Sequence, residues 1–133
     1  MRLYPQLQAL LLVSAACGSS TGLSGGGGGN MSGSVVGVTI QDFSFSPVAV
    51  TVKVGTTVKW TNSGPSAHTA TSNTGTWDSG QLGSPTSGGA YDGGTAGGTY
   101  QYTFTTAGTY PYHCSNHPPS TYPGFTGTIT VTP

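Results

Sequence analysis

Residues 48–61 read Val48-Ala49-Val50-Thr51-Val52-Lys53-Val54-Gly55-Thr56-Thr57-Val58-Lys59-Trp60-Thr61, and their alternation decides the fold class. Val50, Val52 and Val54 oppose Thr51 and Lys53, while Val58 and Trp60 face away from Thr57, Lys59 and Thr61. A period of two sends successive side chains to opposite faces of a strand, and β-branched and aromatic residues suit a half-buried pleated surface. The same period runs upstream through Val36, Val38 and Ile40 and on to Phe43 and Phe45. Downstream it governs Tyr100, Tyr102 and Phe104, then Tyr110 and Tyr112 leading to Cys114, and finally Ile129 and Val131. Gly, Pro, Asn and Ser turns separate these runs, and no stretch of useful length has a helical period. About seven short strands in roughly a hundred residues predict an all-β, two-sheet sandwich. The pattern does not say which strand pairs with which.

A chain of 133 residues has room for one domain. Only 5% of the residues are charged, there are 23 glycines and 9 prolines, and glutamate is absent. The glycines concentrate at Gly25 to Gly29 and between Gly80 and Gly98. The composition therefore describes a folded domain with a flexible leader and one long loop, not a disordered chain. Three acidic residues balance three basic ones. No Lys/Arg cluster marks a nucleic-acid surface, and so little charge steers partners weakly. Docking is expected to rest on shape and apolar contact.

Residues 1–17 read as an export signal. Arg2 supplies the positive start, Leu7 to Val13 a short apolar stretch, and Ser14-Ala15-Ala16 the small residues before cleavage. The apolar stretch is too short to span a bilayer. Val13-Ser14-Ala15-Ala16-Cys17 resembles a bacterial lipobox, with Ser14 where leucine is usual, and implies lipidation of Cys17. The competing reading is ordinary secretory cleavage nearby. Residues 18–33 are expected to form a flexible Gly/Ser-rich tether and residues 34–133 the domain. The expected location is outside the cytoplasm, periplasmic or at the cell surface, with the lipid as the only membrane attachment.

The chemistry lies in His68, Cys114 and His117. Cys114 ends a strand on the inward phase of Tyr110 and Tyr112, and a buried hydrophobic cysteine would look the same if taken alone. His117 by itself would read as an exposed loop histidine. Together, at Cys-x-x-His spacing before a final strand, and with His68 following Trp60-Thr61-Asn62 across a loop, they form a trigonal His₂Cys set suited to electron-transfer copper. If Cys17 carries lipid, Cys114 has no disulfide partner in its own chain. A lone exported thiol is an oxidation liability unless something occupies it.

The run His113-Cys114-Ser115-Asn116-His117-Pro118 resembles the C-terminal ligand loop of the cupredoxins, the plastocyanin and azurin family of small blue copper proteins. The resemblance covers about Val35 to Val131. It implies a Greek-key sandwich holding one copper ion per domain that cycles between Cu(I) and Cu(II). It also implies docking of redox protein partners on an apolar patch around His117, and no enzymatic chemistry of the chain's own. The family's axial methionine is missing: Phe125-Thr126-Gly127 stands where Met-x-Gly leads into the last strand, after an insertion-like stretch from Pro119 to Gly124. Phenylalanine cannot donate to copper, so the expected site is three-coordinate with a raised potential. Tyr122 is the rival axial candidate, and the Ala67 carbonyl is a weak one from the other side.

His113 precedes Cys114 and should point to the opposite face. Multicopper oxidases use such flanking histidines for a second cluster, but three histidines in total cannot build one. Thr69 and Ser115 are candidates for a hydrogen bond tying the two ligand loops together, the Thr69 amide for a bond to the Cys114 sulfur, and Asn62 for a further supporting role. Tyr110, after Ala107-Gly108-Thr109, suggests either a tyrosine corner or a plain core aromatic. The Gly80–Gly98 loop could cover the metal, bind a partner through Tyr91, or be a tolerated surface insertion, the reading favoured. The leading functional reading is a monomeric one-electron carrier tethered to a membrane. The alternatives are copper binding and delivery without redox cycling, and a metal-free binding module.

Overall fold

The computed structural model describes residues 33–86 and 93–133. The export signal, Cys17, nearly all of the expected tether, Tyr91 and the middle of the Gly80–Gly98 loop lie outside the described residues. Among the described residues eight strands form: β1 (Val35–Gln41), β2 (Ser44–Ser46), β3 (Ala49–Lys53), β4 (Thr57–Asn62), β5 (Thr71–Ser72), β6 (Thr99–Thr103), β7 (Gly108–His113) and β8 (Thr126–Thr132). Among the described residues there is no helix. The all-β sandwich expected from the alternation is the observed architecture.

One sheet has the order β2-β1-β4-β6 and the other β3-β8-β7-β5. Both are mixed. β1 runs parallel to β4, with Val38 opposite Trp60, and β3 runs parallel to β8, with Val50 opposite Ile129. These parallel pairings join segments far apart in sequence, which a local period cannot reveal. The remaining neighbours are antiparallel.

The inward phases meet between the sheets. Val38, Ile40, Val58, Trp60, Phe104, Tyr112, Ile129 and Val131 are buried there, with Phe45, Phe125 and Cys114 toward one end. Trp77, which the alternating runs did not include, is also buried and stacks on Trp60 with ring centroids 5.5 Å apart. Gly127 lies directly opposite Tyr112 across the β7–β8 ladder. A Cβ there would collide with the tyrosine ring, so glycine is what admits Tyr112 to the core.

Two expected inward positions differ. Val54 lies past the end of β3, where its amide bonds the Thr132 carbonyl before the turn at Gly55, and its side chain is exposed. Phe43 does not continue the alternation into β2. It occupies the two-residue loop Asp42-Phe43 between β1 and β2, with φ of 66°. Tyr110 does form a tyrosine corner: its hydroxyl donates to the Thr106 carbonyl at 2.8 Å.

Candidate metal centre

Three chain segments meet at the end of the sandwich where β7 stops. Cys114 directly follows β7, its amide bonding the Phe125 carbonyl at 3.4 Å, and His117 follows one turn later with its amide on the Cys114 carbonyl at 3.3 Å. Pro118 accepts from the amides of Thr121 and Tyr122, and Phe125 donates to the Tyr122 carbonyl. The stretch from Pro119 to Gly124 is thus a series of tight turns that returns the chain to the site.

His68 is held from both sides of its backbone. Its amide donates to the Leu82 carbonyl at 3.1 Å, and the Leu82 amide donates back at 2.8 Å. Asn62, at the end of β4, clips the intervening loop. Its Nδ2 donates to the carbonyls of Ser66 and Leu82, and its Oδ1 accepts from the Gly64 amide. The expected supporting role of Asn62 is therefore the shaping of the His68 loop. The first arm of the Gly80–Gly98 loop is also part of the site's wall, not a plain surface insertion, because Leu82 is buried and paired to His68.

The donor atoms converge. Cys114 Sγ lies 3.8 Å from His68 Nδ1 and 3.6 Å from His117 Nδ1, and all three atoms fall within 4.8 Å of one another. His68 and Cys114 are fully buried, while His117 is half-buried. Both imidazoles turn Nδ1 toward the sulfur. Two nitrogen lone pairs and one thiolate around a shared point are a ligand set for a soft or borderline metal.

The sulfur has one further partner: the Thr69 amide donates to it at 3.3 Å. Thr69 Oγ1 in turn accepts from the Ser115 amide at 2.8 Å, and the Ser115 hydroxyl donates to Thr71 Oγ1 at 3.0 Å. The strand carrying His68 onward and the loop carrying Cys114 are thereby fastened to each other, as the placement of Thr69 and Ser115 suggested.

Phe125 is fully buried against the donors. Its ring centroid lies 4.9 Å from that of His68 and 5.7 Å from that of His117. Tyr122 stacks instead on Phe43, centroids 4.5 Å apart and planes 13° from parallel, and meets His117 edge-on at 5.1 Å. The Ala67 carbonyl accepts a hydrogen bond from Asn116 Nδ2 at 2.8 Å, and Asn116 also exchanges a pair of bonds with Gln81. His113 projects away from the site and donates Nδ1–H to Asn73 Oδ1.

Two residues of the site were not singled out in the sequence. Asp42 Oδ1 accepts the Nε2–H of His68 at 2.8 Å, which leaves Nδ1 as the ring's free lone pair. That hydrogen bond holds the Asp42 carboxyl below its ordinary value; partial burial opposes this, and the bonds from Ser66 reinforce it. Phe43, from the same loop, stands edge-on to His117 at 5.0 Å. Neither has a local signal. An Asp-Phe pair between two strands reads as an ordinary turn.

Sandwich and donor set together define a small copper-binding β protein. Residues 33–132 match the copper binding proteins of the plastocyanin/azurin family, and the chain belongs to that family. Its His68–Cys114–His117 cluster is suited to hold one copper ion. The chain is similar to a purple cupredoxin from Nitrosopumilus maritimus, at 24% identity over 72% of this chain and 98% of that one, with a TM-score of 0.53. It is similar as well to a Cu-containing nitrite reductase from Thermus scotoductus, at 26% identity and a TM-score of 0.56, over 74% of this chain but 22% of that one. A Cu(I) form of an amicyanin variant is 27% identical over 74% of this chain and 82% of its own, with a TM-score of 0.48. Among curated proteins, no sequence matches.

Proposed function

We propose that this protein carries single electrons between redox proteins outside the cytoplasm, with His68, Cys114 and His117 as the copper ligands and Phe125 as a non-coordinating axial residue. The observation that carries the reading is the convergence of the two Nδ1 atoms and Sγ within 4.8 Å, bordered by a buried phenyl ring with no donor atom. Copper bound to such a set supplies a one-electron couple whose redox orbital is shared with the thiolate sulfur.

The surrounding residues supply rigidity. The Thr69–Ser115 bond, the Asn62 clip and the Leu82 pairing hold His68 and Cys114, and the His117 amide bonds the Cys114 carbonyl, before any metal arrives. A site that keeps one geometry for two oxidation states reorganises little on electron transfer. Phe125 excludes water and a fourth ligand from one side, and the Ala67 carbonyl is engaged by Asn116 of the Cys114–His117 loop. Both features favour a three-coordinate site and a raised potential. Partner docking is assigned to the apolar surface of His117, Pro118, Tyr122 and Phe43. The leader sequence supports export and lipid attachment through Cys17.

The test is addition of Cu(II) to the purified protein, a visible spectrum and a redox titration. An intense thiolate-to-copper band with reversible, high-potential cycling is expected. A weak or absent band would refute the ligand assignment.

A further inference from the structure

Asp42 is one of only three acidic residues in the chain, yet its carboxylate lies against a buried histidine. Its position is built, not incidental. Oδ1 accepts His68 Nε2–H at 2.8 Å and the Ser66 amide at 3.3 Å, while Oδ2 accepts the Ser66 hydroxyl at 3.1 Å. A Cβ on Gly64 would come within 2.6 Å of Oδ1 and 2.9 Å of the Asp42 amide, so the loop before His68 leaves space for this carboxylate. Next to it, Phe43 adopts a left-handed φ of 66°, a strained conformation that bulky residues rarely take. The β1–β2 turn accepts that strain while presenting Asp42 to one histidine and Phe43 to the other.

We propose that Asp42 is a positioning residue of the metal centre that fixes the Nε2–H tautomer of His68 and, as a full negative charge, makes its Nδ1 a stronger donor to Cu(II). A carboxylate behind a ligating histidine orients the ring and raises its basicity, and loss of such a partner usually costs about 10–100-fold in metal affinity. The added charge favours the more positive oxidation state. Asp42 therefore works against Phe125: the phenyl ring raises the potential and the carboxylate limits the rise. The inference rests on the copper reading above.

The experiment compares wild type with Asp42→Asn and Asp42→Ala in the copper-loaded full-length protein. Asn keeps an oxygen to accept the Nε2–H bond but removes the charge. D42N is expected to keep the thiolate-to-copper band while weakening Cu(II) binding about tenfold with little change for Cu(I), which for one electron is an upward shift of about 59 mV. D42A should weaken Cu(II) binding further. Nitrogen NMR of His68 in the wild-type Cu(I) form should show Nε2 protonated and Nδ1 ligated, whatever the variants' stability. An unchanged potential in a well-folded D42N protein, or ligation of His68 through Nε2, would overturn the inference. A wild type with no thiolate-to-copper band would instead overturn the copper reading itself.

Discussion

The ring of Phe125 meets that of His68 edge to face, with centroids 4.9 Å apart and planes at 81°. This is a packing contact between an apolar ring and a polar one, made at full burial beside the His68–Cys114–His117 donor cluster. The same ring touches Phe45 at 4.8 Å, so the residue that borders the centre also belongs to the core. On the proposed reading of Phe125, potential and stability are coupled through one side chain.

Phe125→Met should separate the two. A thioether donor would stabilise Cu(II) selectively, and the potential should fall by about 60 mV for each tenfold gain in relative affinity. Because methionine is flexible and of similar bulk, the cost in stability should be only about 1 kcal/mol. Phe125→Ala should cost about 3–5 kcal/mol by leaving a cavity. Protein-film voltammetry and chemical unfolding read the two quantities; a potential that did not fall in F125M would reject the non-coordinating role of Phe125.

Tyr122→Phe tests the rival ligand. The Tyr122 ring is committed to Phe43 and His117 by stacking and edge contacts that phenylalanine reproduces. The visible spectrum and potential of Y122F should match wild type, whereas loss of a phenolate ligand would shift both.

Much of this centre was readable from residues near one another in the chain. Cys114 and His117 are three apart, and the strand phase from Tyr110 sets Cys114 inward. Thr69 directly follows His68, so its bond to the sulfur has a local address. Asp42 does not, because it sits 26 positions before His68 and reaches it only through the parallel pairing of β1 with β4. Phe43 was masked by its own neighbour. Phe43 and Phe45 are spaced like a continuing strand, and only the left-handed turn breaks the phase. Trp77 lies outside any alternating run and enters the core by stacking on Trp60.

Thr69→Ala should loosen the tie between the ligand loops. It removes the acceptor of the Ser115 amide at 2.8 Å and of the Thr71 hydroxyl at 2.9 Å. The loss should be about 1–2 kcal/mol in the metal-free protein, with faster copper release. Thr69→Ser, which keeps the oxygen, should restore most of both. Denaturant titration and stopped-flow chelation provide the readouts, and equal behaviour of the Ala and Ser variants would contradict the role of the hydroxyl.

Tyr112 sets an alkaline limit on stability. Its ring is fully buried between the sheets, and among the described residues neither its hydroxyl nor the indole nitrogens of Trp60 and Trp77 have a hydrogen-bond partner. Burial pushes its ionisation up to about 12; the neighbouring Trp60 indole opposes the rise but lies outside hydrogen-bonding geometry. An unfolded tyrosine loses its proton near 10, so between those values the unfolded state binds fewer protons than the folded one. Stability must therefore fall as pH rises through this window, by at most roughly 3 kcal/mol at about 1.4 kcal/mol per pH unit. Below pH 10 the full contribution is present. Tyr112→Phe removes a hydroxyl that is buried without a partner, so at neutral pH it should leave stability unchanged or raise it by about 1 kcal/mol. At about pH 11.5 the difference from wild type should widen in the variant's favour. Unfolding of the metal-free proteins in urea from pH 8 to 12 checks this, and parallel pH profiles for the two would mean that Tyr112 does not carry the alkaline loss.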